Sequence, residues 1–313
     1  MAKNSDIPVT GNQSPVTIVL KGFCMGAADV VPGGSGGTMA LILNIYPRLI
    51  NAIKSFDLDW LKGLVKLDRG IVLERPHWGF IIPLLVGVIC ALFFFTRVIS
   101  LPELIETKPE LVYGLFFGLI AGSILVLVMQ TAPFTVRSIL FLLAGIWTGL
   151  VIFNLVPAET PDTGWFIFIA GALAISAMLL PGISGSFILL ILKKYSYIFN
   201  AIGYLDFSIL IPFILGVLTG LVAFSRLLSY LLARYYRSTL LLITGLLVAS
   251  LWVIWPFQQR VYETIGDRDY LIHTTPVLPS ADTENIVMAF VLMATGVIFV
   301  VFIDFHAKKR NSE

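Results

Sequence analysis

The stretch Asp29-Val30-Val31-Pro32-Gly33-Gly34-Ser35-Gly36-Gly37-Thr38 decides the fold. It interrupts an apolar run that begins near residue 16 and resumes from residue 36 to residue 53. Proline removes a backbone donor and glycine weakens a helix, so a helix entering this stretch must stop and a new one must begin beyond it. A second interruption, Pro181-Gly182-Ile183-Ser184-Gly185-Ser186, falls 149 residues later, between apolar runs at 165–181 and 185–203. The simplest picture is two helical hairpins with their tips inside a membrane. Irregular backbone at that depth is tolerated only where protein buries it or where it lines a cavity.

Composition supports the membrane reading. The chain of 313 residues is 58% hydrophobic and only 13% charged, and its mean hydropathy is +0.92. A soluble domain carries about 25% charge. These values exclude a cytosolic enzyme, a nucleic-acid binder and a disordered chain, because one soluble core of this size cannot hide so much apolar surface. A net charge of +2 is too small to imply a polyanionic partner. Cys24 and Cys90 both sit in apolar stretches and read as buried thiols, with no disulfide framework and no paired-cysteine metal motif. Residues 1–15 are polar and lack the compact apolar region of a cleavable signal, so the first apolar run is expected in the mature chain.

A bilayer-length window finds ten apolar segments, at 16–31, 36–53, 80–100, 111–131, 136–154, 165–181, 185–203, 208–230, 238–257 and 286–304. The expected fold is an all-α polytopic membrane protein. Numbered by alternate crossings, one side collects Lys3, Lys21, Lys54, Lys62, Lys66, Arg69, Arg75, Arg137, Arg234, Arg237, Lys308, Lys309 and Arg310. The other holds little beyond Lys108, Arg260 and Arg268. The positive-inside rule places the first side, and both termini, in the cytoplasm.

The two interruptions belong to a longer repeat. At an offset of 149, Pro32, Gly33, Ser35, Gly36, Tyr46 and Asn51 align with Pro181, Gly182, Ser184, Gly185, Tyr195 and Asn200. The match continues at an offset of 129, pairing Pro83, Gly87 and Arg97 with Pro212, Gly216 and Arg226. Each half holds five segments, an odd number, so the second half must run through the membrane upside down. The expected organisation is a cytoplasmic tail at 1–15, a first repeat at 16–154, an external linker at 155–164, a second repeat at 165–304 and a cytoplasmic tail at 305–313. Inverted repeats with broken helices near the midplane mark secondary transporters. The bland reading is an old duplication kept for packing, but packing does not explain two polar, glycine-rich tips at membrane depth.

Helices beginning at the tips would present free N–H groups and a positive dipole end to a phosphate or carboxylate. The candidate anion-binding residues are Gly33, Gly34, Ser35, Gly36 and Thr38 in the first tip and Ser184, Gly185 and Ser186 in the second. Close helix packing is the competing use of such small residues. Arg97 and Arg226, equivalent in the repeat, can each bind phosphate bidentately, whereas either alone would read as snorkelling to headgroups. Asp29 has no acidic counterpart, since Met178 occupies that place. An intramembrane carboxylate is costly, so Asp29 is expected to carry a coupling proton or sodium ion, or else to act as a cap or ion-pair partner. Lys193 and Lys194 lie half-way along the segment at 185–203; one is expected to snorkel and one to face a phosphate path.

Other chemistries fail on residue supply. Both tips fit the Gly-x-Ser-Gly pattern of intramembrane serine proteases, but His77, His273 and His306 all fall outside the apolar segments, leaving the serine no base. The P-loop lysine pattern is absent, metal-ligand clusters are absent, and no cofactor is implied. The residues alone reach a transporter for an anion, with a permease for a small soluble anion such as phosphate as the alternative.

The run Gly22-Phe23-Cys24-Met25-Gly26-Ala27-Ala28-Asp29-Val30-Val31-Pro32-Gly33-Gly34-Ser35-Gly36-Gly37-Thr38, with Leu180-Pro181-Gly182-Ile183-Ser184-Gly185-Ser186, resembles the PopT-type polyprenyl-phosphate transporters of bacteria. The resemblance covers about residues 16–304. It implies that undecaprenyl phosphate, the lipid carrier of cell-envelope polymer synthesis, is returned to the cytoplasmic leaflet of the cytoplasmic membrane. It also implies no enzymatic activity.

Overall fold

The computed structural model of the chain describes residues 13–31, 35–99, 101–155, 157–265, 268–279 and 285–312. Gly33 and Gly34 lie outside these residues, as do Pro32 and most of the N-terminal tail. In chain order the helices are α1 (Pro15–Val30), α2 (Gly36–Ile42), α3 (Tyr46–Lys54), α4 (Leu58–Val65), α5 (Arg69–Glu74), α6 (Trp78–Arg97), α7 (Leu101–Thr107), α8 (Pro109–Gln130), α9 (Val136–Phe153), α10 (Gly164–Leu179), α11 (Gly185–Ile191), α12 (Tyr195–Tyr204), α13 (Phe207–Arg234), α14 (Tyr236–Val253) and α15 (Ile286–Ser312). Two strands, β1 (Gln258–Ile265) and β2 (Arg268–Pro276), stand between α14 and α15.

Six of the ten expected segments form helices long and apolar enough to cross a membrane, within α6, α8, α9, α13, α14 and α15. The other four are short for a physical reason. Helices α1 and α10 have 16 residues each, roughly 24 Å at 1.5 Å per residue, against a hydrocarbon core of about 30 Å. Their partners are broken in two. Asn44 and Lys193 adopt left-handed φ values of 55° and 51°, which ends α2 and α11 after seven residues each. Both hairpins are therefore built of short arms.

The helices flanking the two breaks match in position. Helices α1 and α10 begin at residues 15 and 164, and α2 and α11 at 36 and 185, both an offset of 149. Val31 and Leu180, also 149 apart, close α1 and α10 with the same bond, donating to the carbonyls of Ala28 and Ala177. Close packing repeats as well. A Cβ at Gly87 of α6 would sit 2.0 Å from the Val19 carbonyl oxygen of α1, and one at Gly216 of α13 would sit 1.9 Å from that of Phe168 in α10. Only glycine lets these backbones touch. The final helices cross over: α15 packs on α8, and α9 packs on α14. Each half thus contributes one helix to a pair completed by the other.

Between α14 and α15 lies an antiparallel hairpin, with Ile265 opposite Arg268 and Gln258 opposite Pro276. Its strands are rich in Val, Tyr, Thr and Ile and are separated by Gly266-Asp267, a hairpin-type dipeptide in sequence. This signal was legible but outweighed by the surrounding apolar helices. Short helices α4 and α5 likewise order the loop at 54–79. There Arg75 bridges Asp57 and Asp59 at 3.0 and 3.1 Å, and hydrogen bonding to Arg75 holds the Asp59 carboxyl below its usual range.

Candidate functional site

The two hairpin tips meet. Thr38, buried in α2, accepts a hydrogen bond at 2.9 Å from the N–H of Gly182 in the second tip. Gly182 has φ +92°, a left-handed conformation that glycine adopts without strain. Tyr46, fully buried at the start of α3, donates its hydroxyl to the Leu179 carbonyl at 2.8 Å. Gly37 lies close to the same strand of chain, where a Cβ would be 3.3 Å from the Met178 oxygen.

The first tip is closed by its own acid. The Gly36 N–H, expected to be free for a ligand, donates to Asp29 Oδ1 at 2.7 Å. Asp29 therefore caps α2 from the end of α1, which is the capping use of that carboxylate. A Cβ on Gly36 would lie 2.6 Å from Asp29 Oδ2, so glycine is needed for the carboxylate to come so close. Ser35 is extended at φ −146°, only 5% exposed, and its Oγ is buried without a hydrogen-bond partner among the described residues. A buried hydroxyl with no partner costs roughly 1–3 kcal/mol, so something polar is wanted beside it.

The second tip is open. Met178 replaces the acid and is exposed. Ser184 Oγ and Ser186 Oγ are 2.7 Å apart, half-buried and exposed respectively. Gly185 packs against the chain, where a Cβ would meet the Ala174 carbonyl at 2.7 Å. All seven residues of α2 are buried, whereas Leu189 alone is buried in α11.

Arg97 and Arg226 are not brought together. Arg97 is exposed in the last turn of α6, which packs on α1. Arg226 is half-buried on α13, which packs on α10 and also on α3. One turn beyond Arg226, Ser229 joins the two hairpin systems, accepting from Lys54 Nζ at 3.2 Å and donating to Asn51 Oδ1 at 3.3 Å. Arg48, on the same short helix as Asn51 and Lys54, escaped notice in the sequence. Its guanidinium stacks 4.6 Å over the Phe80 ring, with Nη1 buried and unpartnered. The available signal was an arginine inside an apolar segment with no acid near it.

Lys194 is engaged by the linker and by aromatic rings. It is 3% exposed, ion-paired with Asp162, bonded to the Thr160 carbonyl at 2.8 Å and stacked near Phe166 and Tyr197. Lys193 is half-exposed, 3.5 Å from Glu159. With Thr160 Oγ1 donating to the Leu192 carbonyl at 2.6 Å, these contacts strap the linker over the break between α11 and α12. The equivalent break carbonyl in the first half, Leu43, is held by Lys21 Nζ at 2.7 Å.

Broken hairpins that meet within a bundle of apolar helices are the architecture of secondary transporters. The chain belongs to the undecaprenyl phosphate translocase-like family, whose profile matches residues 25–269. It is similar to a polyprenyl-phosphate transporter of Vibrio cholerae serotype O1, with 35% identity over 93% of this chain and 96% of the relative. It is also similar to one of Staphylococcus aureus, with 33% identity over 76% of this chain and 85% of the relative. No solved structure matches it. Six membrane-length helices and these relatives make it a multi-pass bacterial membrane protein.

Proposed function

We propose that this protein carries polyprenyl phosphate, with undecaprenyl phosphate as the substrate, across the cytoplasmic membrane to the cytoplasmic leaflet for renewed use in cell-envelope polymer synthesis. The observation that carries this reading is the junction of the two tips, where the Gly182 N–H, two residues before Ser184, donates to Thr38, and Ser35, three residues before Thr38, keeps a buried hydroxyl with no partner among the described residues. The family and the names of both relatives support the substrate class.

In this reading residues 16–154 and 165–304 are two inverted halves joined by the external linker 155–164. The tails 1–15 and 305–313 lie in the cytoplasm. The headgroup approaches past Arg97 and is held by Ser184, Gly185 and Ser186 of the open tip, with Ser35 and Thr38 of the closed tip beside it and Gly33 and Gly34 completing that loop. It leaves past Arg226 and Arg48 while the polyprenyl tail stays in lipid. Replacing the headgroup's hydration with fixed donors lowers a crossing cost that would otherwise be prohibitive. The driving force is an ion gradient or simple equilibration, and in the first case Asp29 is the residue that links the transport cycle to the ion.

The test is reconstitution with polyprenyl phosphate and a membrane-impermeant phosphatase that reads the outward-facing headgroup. Wild-type protein is expected to exchange headgroups faster than empty vesicles, and a Ser184→Ala/Arg226→Ala double variant to lose at least tenfold of that rate. Full retention in the double variant would remove these residues from the path. Uptake of inorganic phosphate without lipid exchange would turn the reading to a soluble-anion permease. Asp29→Asn keeps an oxygen for the Gly36 N–H, so loss of any proton or sodium dependence in that variant alone would assign the coupling ion to Asp29.

A further inference from the structure

A second basic site lies away from the tips. Helix α13 ends at Arg234 and α14 begins at Tyr236, beside the start of α9 at Val136. Between them is a cleft of about 380 Å³ lined by Arg137, Arg234, Arg237, Tyr235, Tyr236 and Ser138. This volume falls within the range of small-molecule sites. Among the described residues, no carboxylate lines it. Three guanidinium groups around one cleft repel one another, and an anion between them removes that cost.

The cleft is built rather than incidental. Arg237 Nη2 donates to the Thr131 carbonyl at 2.6 Å and to the Pro133 carbonyl, tying the turn between α8 and α9 to the first turn of α14. Its remaining N–H groups stay free to bond, since a guanidinium has five. Arg137 is placed near the Phe141 ring, and Ser138 is locked by the Thr135 cap at 2.9 Å. The C-terminal end of α13 and the N-terminal end of α14 meet at Tyr235 with opposite dipole ends, so the positive field of the cleft comes from its arginines. Arg234 and Arg226 share α13 and lie eight residues apart, about 12 Å along the axis.

We propose that this cleft is a docking site for a phosphate monoester dianion. Arginine pairs with phosphate bidentately, and a dianion gains from three cations more than a monoanionic diester does. The site stands on its own geometry. Its assignment to a lipid-linked phosphate, received as the headgroup passes Arg226, rests on the transport reading.

The experiment is arginine footprinting of the full-length protein in detergent with phenylglyoxal, read residue by residue by mass spectrometry. The probes are farnesyl phosphate, inorganic phosphate, farnesol and phosphatidylglycerol. Farnesyl phosphate is expected to slow modification of Arg137 and Arg234 at least threefold, while farnesol and phosphatidylglycerol leave both unchanged. Equal protection by inorganic phosphate would make soluble phosphate the source, and protection by farnesyl phosphate alone would make it lipid. Arg234→Gln should weaken the protection of Arg137 at least threefold while the protein elutes as before. No protection by either phosphate, or equal protection by phosphatidylglycerol, overturns the proposal. Protection confined to Arg97 and Arg226 overturns the cleft and leaves the transport reading intact. Protection confined to Arg137 and Arg234 does the reverse.

Discussion

The two hairpins share a sequence pattern and differ in what they are free to do. In the first, Asp29 caps α2, Thr38 and Tyr46 reach across to the other tip, and all of α2 is buried. In the second, Met178 stands where the acid would be, Phe187 replaces Thr38, and α11 is largely uncovered. A handful of differences at matching positions thus leaves one hairpin buried and the other largely uncovered. One hairpin is fastened in the core and the other presents serines at an open helix start. Its equivalent of Ile45 is Lys194, which is spent on holding the linker strap.

The severest way to break this comparison is to strike what the halves have in common. Gly87→Leu and Gly216→Leu should each abolish accumulation of folded protein, because either side chain would collide with a backbone oxygen about 2 Å from its Cβ. Detergent-solubilised yield and elution profile read the outcome. A well-folded variant of one but not the other would show that the hairpins do not depend equally on that contact.

Met178→Asp sharpens the contrast by giving the open tip the acid that closes its twin. Transport in proteoliposomes should fall at least tenfold with thermal stability unchanged or raised, since the new carboxylate would compete with the substrate anion for the α11 start. Wild-type transport would mean that the second tip is not where the headgroup is held. Thr38→Val probes the fastening. It leaves the buried Gly182 N–H without its acceptor, a loss of about 1–3 kcal/mol, and should lower the melting temperature by several degrees. An unchanged melting point would show that the tips are held together by packing alone.

The smallest effect is expected at the surface. Asp206 caps α13 by accepting from the Ser208 N–H and hydroxyl, which holds its carboxyl below the usual value of 3.8. A lowered folded-state value contributes stability above the unfolded pKa that disappears as pH falls through the folded one. Asp206→Ala should therefore cost a little stability at neutral pH and nothing once both carboxyl forms are protonated in strong acid. A difference that persists in acid would assign the effect to something other than the charge.

Pro32 and Pro181, the repeated glycines and the apolar runs between them mark in the sequence where the hairpin helices break and which stretches are apolar enough to enter a membrane. These are local properties, since a missing donor and a run of apolar side chains act on the backbone wherever they occur. The β1–β2 hairpin was written just as locally, in β-branched residues flanking Gly266-Asp267, though in a chain dominated by apolar helices. Tertiary structure alone decided that Asp29 is a cap, that Lys194 is strapped to Asp162, that Arg48 lies over Phe80, and that Arg137, Arg234 and Arg237 share one cleft. Each depends on a partner from another element, seven to about 100 residues away. The final helices exchange partners between the halves for the same reason. A polar side chain's role follows from the group that meets it, and helix packing makes that choice.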